Sequence, residues 1–202
     1  MQIEEIITAV QKKLGVQADG RAGPETWTAI YSFIVKPKSA ELDPAKVIDT
    51  VDPRSEKVIA TLLPEVQPIA RTLVQKAAQN GIQIKVISGL RSYAEQDELY
   101  AQGRTKAGDK VTNARAGYSN HNFAIAFDVG VFEGTNYLAE SAKYKAVGVL
   151  GMDLGLEWGG SWKTIIDQPH FQLRPAWADG LTEKQMLAEL RDRAESGAPV
   201  YA

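Results

Sequence analysis

The chain has no cysteine and only two histidines among its 202 residues. Without cysteine there is no disulfide, no thiol nucleophile and no thiolate-held zinc, so any bound metal must rest on histidine and carboxylate. No apolar run approaches the roughly 20 residues that a membrane span needs, and no membrane insertion is expected. Charge of one sign is also missing: 23 Lys and Arg face 25 Asp and Glu, interspersed, for a net charge of -2. A basic stripe able to neutralise phosphates is therefore absent, and nucleic acid is not an expected partner. The start, "MQIEEIITAVQKKLGV", lacks a basic n-region, an unbroken apolar core and a small-residue cleavage site. It does not read as a secretory signal, and synthesis in the cytoplasm is expected.

What is present fits an ordinary globular protein, with 44% hydrophobic and 24% charged residues, sized for one full domain with at most a small appendage. Ile3, Ile6, Ile7, Val10 and Leu14 fall at helical spacing before Gly15, and Trp27, Ile30, Tyr31 and Ile34 repeat the pattern after Asp19-Gly20 and Pro24. These two short helices predict a small helical module over residues 1–35. Residues 36–53, with three prolines and mixed charge, read mainly as a linker, and a larger domain is expected over 54–202.

Within that domain Val66, Ile69, Ala70, Leu73, Val74 and Ala77 predict a helix that stops at Asn80-Gly81. "IQIKVIS" then alternates as a strand, and Ser92 with Glu95 forms a capping-box signature for the next helix. From Phe123 to Val131 the period is two, with Phe123, Ile125, Phe127, Val129 and Val131 on a core face. Ala124, Ala126, Asp128 and Gly130 line the other face, which leaves open space beside the carboxylate. A helix over 139–155, a strand near His170 and a last helix opened by Thr182 and Gln185 complete the pattern. The fold class is α+β, a small antiparallel sheet with packed helices.

Both histidines open strands, and both lie near a carboxylate: "SNHNFAIAFD" holds His121 and Asp128, and "DQPHF" holds Asp167 and His170. Zinc that does chemistry takes three such ligands and keeps a fourth position for water. His121, Asp128 and His170 supply three candidates, and Asp167 is placed to act as a general base. His121 and Asp128 are an odd number of residues apart, so one straight strand would point them to opposite faces; they converge only if the chain bends near Asn122. The same spacings suit hydrogen-bonded core histidines as well, and spacing does not decide between the two. Trp158 and Trp162 read as core packing.

These segments resemble the two-part zinc signature of the D-alanyl-D-alanine carboxypeptidase and L-alanyl-D-glutamate endopeptidase family of peptidoglycan peptidases. The pattern Ser-x-His-x-x-Gly-x-Ala-x-Asp, followed by an acid three residues before a second His, is matched by Ser119, His121, Ala126, Asp128, Asp167 and His170, with Ala124 where the family usually has Gly. "SGLRSYAEQDELYAQGRT" resembles the Arg-bearing segment and "LEWGGSWK" the Trp-Gly-Gly turn, so the likeness runs from about Arg54 to Trp177. It implies a zinc cleft with His121, Asp128 and His170 as ligands, Asp167 as catalytic base, Arg91 at the oxyanion or a substrate carboxylate, and Gln96 and Ser119 supporting the substrate or the ligands. The implied reaction is zinc-dependent hydrolysis of a stem-peptide bond in peptidoglycan, L-Ala–D-Glu first, with the D-Ala–D-Ala terminus or a non-catalytic wall-binding role as alternatives. Ala124 is expected to be tolerated within a strand. "VQKKLGVQADGRAGPETWTAI" resembles a helical peptidoglycan-binding module, whose third helix residues 43–51 would have to supply. A monomer acting on the wall after holin-type or other non-Sec release is the accompanying expectation.

Overall fold

The computed structural model describes residues 2–34 and 50–202, and the chain divides into two compact units, Met1–Lys46 and Val47–Ala202. Most of the expected linker, and all but the end of the expected third helix, lie outside the described residues. In the first unit, α1 (Ile3–Leu14) and α2 (Pro24–Ile34) form where the two apolar periods predict them. Gly15 closes α1 in the left-handed conformation, at φ 70°. The interior of this unit is polar at its centre. Gln11 is 1% exposed and donates to Asp19 Oδ1 at 2.8 Å, to the Arg21 carbonyl at 3.0 Å and to Thr26 Oγ1 at 2.9 Å. Its own carbonyl accepts the Gly20 N–H at 2.9 Å, so one amide fixes the turn between the helices. Ile3 and Ile6, the first members of the apolar stripe, are exposed.

The larger unit packs helices on a five-stranded antiparallel sheet. Asp52 caps α3 (Pro53–Ile59), accepting the Ser55 N–H at 3.1 Å, and Pro53 takes the first helical position where its missing N–H costs nothing. The expected helix forms as α4 (Gln67–Gln79) and buries Ile69, Ala70, Leu73, Val74 and Ala77. β1 (Gln83–Ser88) follows, then α5 (Tyr93–Ala101), whose Ser92–Glu95 capping box is made. β2 (Ala126–Glu133) is the central strand, pairing β1 on one side and β3 (Asn136–Leu138) and β5 (His170–Gln172) beyond it, with β4 (Glu157–Trp158) on β5. α6 (Lys143–Asp153) and α7 (Glu183–Ser196) complete the unit, the second with its Thr182–Gln185 capping box.

Two expected boundaries move. The helix expected over 139–155 starts at Lys143, because residues 136–138 are drawn into the sheet against Val131, Phe132 and Glu133. β2 begins at Ala126 and not at Phe123. Residues 120–123 instead form a short 3-10 turn, and Ala124 leaves it at φ 57°. Ala124 therefore does not sit in a strand. Left-handed backbone costs an L-residue about 1–2 kcal/mol, which is the physical reason a glycine suits this position and a methyl is the least costly departure from it.

Behind the sheet, Phe127, Val129 and Val131 of β2 and Phe171 of β5 join α4 and α6 in one core. Phe127 and Phe171 stack at 5.8 Å between ring centroids. The close approach of α6 to this layer depends on glycine: a Cβ on Gly151 would lie 2.3 Å from the Phe171 ring, and one on Gly148 2.4 Å from the Trp158 ring. Gly151→Ala is expected to destabilise the larger unit by about 1–3 kcal/mol, read as a Tm lowered by several degrees in thermal unfolding. An unchanged Tm would mean that α6 can withdraw from the sheet at no cost.

Candidate metal centre

The 3-10 turn supplies the bend that convergence requires. It swings His121 off the line of β2, and its carbonyl is held by the Arg91 N–H at 3.0 Å. Asn122 ties the same turn down, donating to the Arg91 carbonyl at 2.8 Å and accepting the Gly117 N–H at 3.0 Å. Asp128 and His170 need no bend, because they are directly opposed partners of β2 and β5 and so share a face. A register irregularity in β1 between Val86 and Ser88 sets Ser88 opposite Asp128 on the other side. The result is a cluster in which one ligand atom from each of His121, Asp128 and His170 lies within 4.8 Å of the others.

The hydrogen bonds fix which nitrogens face inward. His121 Nδ1 is 2.8 Å from the Gly89 carbonyl, which can only accept, so Nδ1 carries the proton. His170 Nε2 is 2.9 Å from Gln172 Oε1, and the Gln172 amide nitrogen is committed to Glu157 at 2.6 Å, so Nε2 is the protonated nitrogen there. His121 Nε2 and His170 Nδ1 are left with bare lone pairs, each 3.3 Å from Asp128 Oδ1. Two lone pairs aimed at one carboxylate oxygen repel unless positive charge stands among them. Two imidazoles and a carboxylate are a donor set able to hold zinc, and both imidazoles have the outer hydrogen bonds that keep metal-ligating histidines in place.

The titration behaviour reports the same demand for positive charge. Burial alone would push the Asp128 carboxyl up, and the hydrogen bonds and charges of His121 and His170 more than reverse this, holding it far below the usual carboxylate range. For His170 burial acts downward, and Asp128, then Gln172 and Asp167, turn the net shift upward. Asp167 moves up, chiefly by burial, with His170 opposing and the Asp128 charge adding to the rise.

Asp167 reaches the cluster on a turn whose geometry Gly159 permits. The Asp167 N–H donates to the Gly159 carbonyl at 3.1 Å, and a Cβ on Gly159 would lie 2.5 Å from the Asp167 carbonyl oxygen. Among the described residues nothing hydrogen-bonds the Asp167 carboxylate. Arg91 also reaches the cluster, with its Nη2 3.9 Å from Asp128 Oδ2 and 3.3 Å from Ser88 Oγ, and its Nη1 donating to Gln96 Oε1 at 2.9 Å. Gln96 is fully buried, and its amide nitrogen donates to the Ala114 carbonyl at 2.7 Å. Both ends of Gln96 are thus engaged, so it positions Arg91 and does not present itself to a ligand. Ser119 lines the cleft, and among the described residues its hydroxyl has no partner.

The cleft has a volume of about 1320 Å³, and Tyr118, Trp162, Lys163 and Ile165 line it along with the cluster, Arg91 and Asp167. Trp158 is core as expected, 8% exposed, its Nε1–H donating to the Gln168 carbonyl at 2.8 Å. Trp162 is not: it is half-buried against the cleft, with its ring 5.1 Å from that of His170. Behind His170 lies a polar network that residue order does not announce, formed by Gln172, Asn120, Glu157, Arg174 and Glu183. Gln172 shares a strand face with His170, but nothing local marks Glu157 or Asn120 as its partners.

A family model described as D-alanyl-D-alanine carboxypeptidase (VanY) matches residues 60–150, the stretch that carries Arg91, Gln96, His121 and Asp128. The peptidoglycan L-alanyl-D-glutamate endopeptidase CwlK of Bacillus subtilis (strain 168) is 38% identical over 128 residues, 58% of this chain and 77% of CwlK. Among solved structures, the L-Ala D-Glu endopeptidase ChiX of Serratia marcescens is 27% identical with a TM-score of 0.48, over 65% of this chain and 94% of ChiX. A vancomycin-resistance D,D-pentapeptidase, VanY from a VanB-type cassette in complex with Zn(II), is 18% identical with a TM-score of 0.44, over 64% of this chain and 83% of that one.

The cluster makes stability of the metal-free protein depend on pH in a defined direction. The depressed Asp128 carboxyl contributes stability that is lost only as pH falls through its lowered value, and the raised His170 contributes stability that is fully present below about pH 6.5 and lost as pH rises through its raised value. Thermal melts from about pH 5 to 9 in chelator are therefore expected to show Tm falling above about pH 6.5, with the fall absent in protein loaded with a divalent ion and in Asp128→Asn. A flat profile in chelator would contradict the charge balance described above.

Proposed function

Since the chain belongs to the VanY family of D-alanyl-D-alanine carboxypeptidases, we propose that it hydrolyses a peptide bond of the peptidoglycan stem with zinc held by His121, Asp128 and His170. The observation that carries this reading is the convergence of two imidazole nitrogens on one carboxylate oxygen, each at 3.3 Å, beside a half-buried carboxyl with a raised pKa. The bond assigned is L-Ala–D-Glu, and the 38% identity with the Bacillus subtilis endopeptidase supports that choice. Zinc, when bound, supplies a Lewis acid that brings the pKa of water near neutrality and polarises a carbonyl.

The residues of the chain supply the remaining steps. Asp167 takes a proton from the attacking water and returns it to the leaving amine; its raised pKa makes it a better base than an exposed aspartate. Arg91, aimed by Gln96, meets the negative charge that develops on the carbonyl oxygen. Ser119, at the start of the 3-10 turn, contributes to the wall of the cleft that receives the substrate, and Trp162 excludes water from the side next to His170. The description of the family model favours a second reading, in which the terminal D-Ala is removed.

Digestion of purified sacculi by zinc-loaded protein separates these. New D-Glu amino termini, identified by mass spectrometry and end-labelling, are the expected result, whereas free D-Ala would assign the carboxypeptidase reaction. Asp167→Asn is expected to lower kcat by about 10²–10⁴-fold while zinc content stays at the wild-type level. No released product from zinc-bound wild type would leave a wall-binding protein in place of an enzyme.

A further inference from the structure

The face of the sheet that carries the cluster holds a second row of side chains one step along the strands. Ala126 of β2, Gln172 of β5 and Glu157 of β4 are directly opposed across three strands, beside the Asp128–His170 pair. Gln172 is fully buried opposite the small Ala126. We propose that Glu157, which is not among the ligands, is a positioning residue for the metal ligand His170, acting through the amide of Gln172; this inference rests on the metal reading above.

The direction of every hydrogen bond in the row is forced from one end. Arg174 can only donate, and its Nε donates to Glu157 Oε1 at 2.5 Å. Its other nitrogens donate to the Ala178 carbonyl at 3.2 Å and to Glu183 Oε2 at 3.0 Å. Glu157 Oε2, an acceptor, takes the Gln172 amide N–H at 2.6 Å. Gln172 Oε1 must then point the other way, where it accepts from His170 Nε2 at 2.9 Å and from Asn120 Nδ2 at 2.5 Å. With its proton committed to Nε2, His170 presents an unprotonated Nδ1 to Asp128 Oδ1. The network carries a cost: Asn120 Oδ1 is buried without a partner, because turning this amide would set an oxygen against Gln172 Oε1 and Glu183 Oε1.

Glu157→Gln reverses the relay without emptying any space. The amide placed at 157 keeps its oxygen on Arg174 and turns its NH2 toward the NH2 of Gln172, so Gln172 turns over and offers His170 Nε2 a donor. The proton of His170 then belongs on Nδ1, the atom that faces the metal. Zinc dissociation constants, measured by competition with a chromophoric chelator, are expected to rise about 10–100-fold in Glu157→Gln. Long-range ¹H–¹⁵N correlation of the zinc-loaded protein is expected to show the His170 proton on Nε2 in the wild type and this signature lost or mixed in the variant. In the exchanged pair Glu157→Gln/Gln172→Glu the carboxylate now at 172 accepts from position 157, from Asn120 and from His170 Nε2, and wild-type affinity and tautomer are expected to return.

Wild-type affinity and tautomer in Glu157→Gln would overturn the proposal, and so would a weakened Glu157→Gln that the exchange does not restore, since that pattern describes lost packing and not a reversed relay. Failure of the wild type itself to take up zinc would overturn the metal reading and this proposal with it, a result distinct from zinc binding that is indifferent to position 157. Glu157 is partly exposed, and Tm of each variant checks that the fold is retained.

Discussion

The arrangement of the larger unit turns on one carboxylate oxygen. Asp128 Oδ1 faces the bare nitrogens of two imidazoles at 3.3 Å each, and such a constellation is stable only around positive charge. Nearly every local departure from regular structure nearby serves to build it. The 3-10 turn at 120–123 takes His121 off the strand line, the irregularity in β1 sets Ser88 and with it Arg91 near the second Asp128 oxygen, and the glycine at 159 lets the Asp167 turn press against the sheet. Regular strands place Asp128 and His170, and irregular segments bring His121, Arg91 and Asp167 to them.

Much of this was legible from residue order. The capping boxes at Ser92 and Thr182 and the helix ending at Asn80-Gly81 are local signals, and each is realised locally. The odd spacing of His121 and Asp128 demanded a bend near Asn122, and the bend is there. Alternation misled at Phe123, Ala124 and Ile125, whose burial comes from the turn and the neighbouring helices and not from a strand. Apolar character reports that a side chain is inside and does not report which backbone carries it there. Trp162 shows the converse, since an aromatic ring is equally at home in a core and on a cleft wall. The Glu157–Gln172 pairing was out of reach because it is a cross-strand contact between short strands whose register no local signal sets.

Asp167 and Gln96 illustrate two opposite ways of using burial. Gln96 is sealed off with both ends of its amide satisfied, and its part is to make the direction of Arg91 unambiguous. Asp167 is largely enclosed but unsatisfied among the described residues, which raises its proton affinity and keeps its oxygens available. A protein selected only for stability would fill that gap with a donor, so the open carboxyl is where the proposed chemistry would draw on stability.

The direct opposition of Asp128 and His170 across β2 and β5 has a consequence for how the cluster can be lost. Their separation is set by the backbone ladder, and His121 is pinned by a main-chain carbonyl, so the spacing of the three side chains follows from main-chain pairing. A change that kept all three side chains but loosened the pairing of β2 with β5 would therefore disturb the cluster as surely as the loss of one of them.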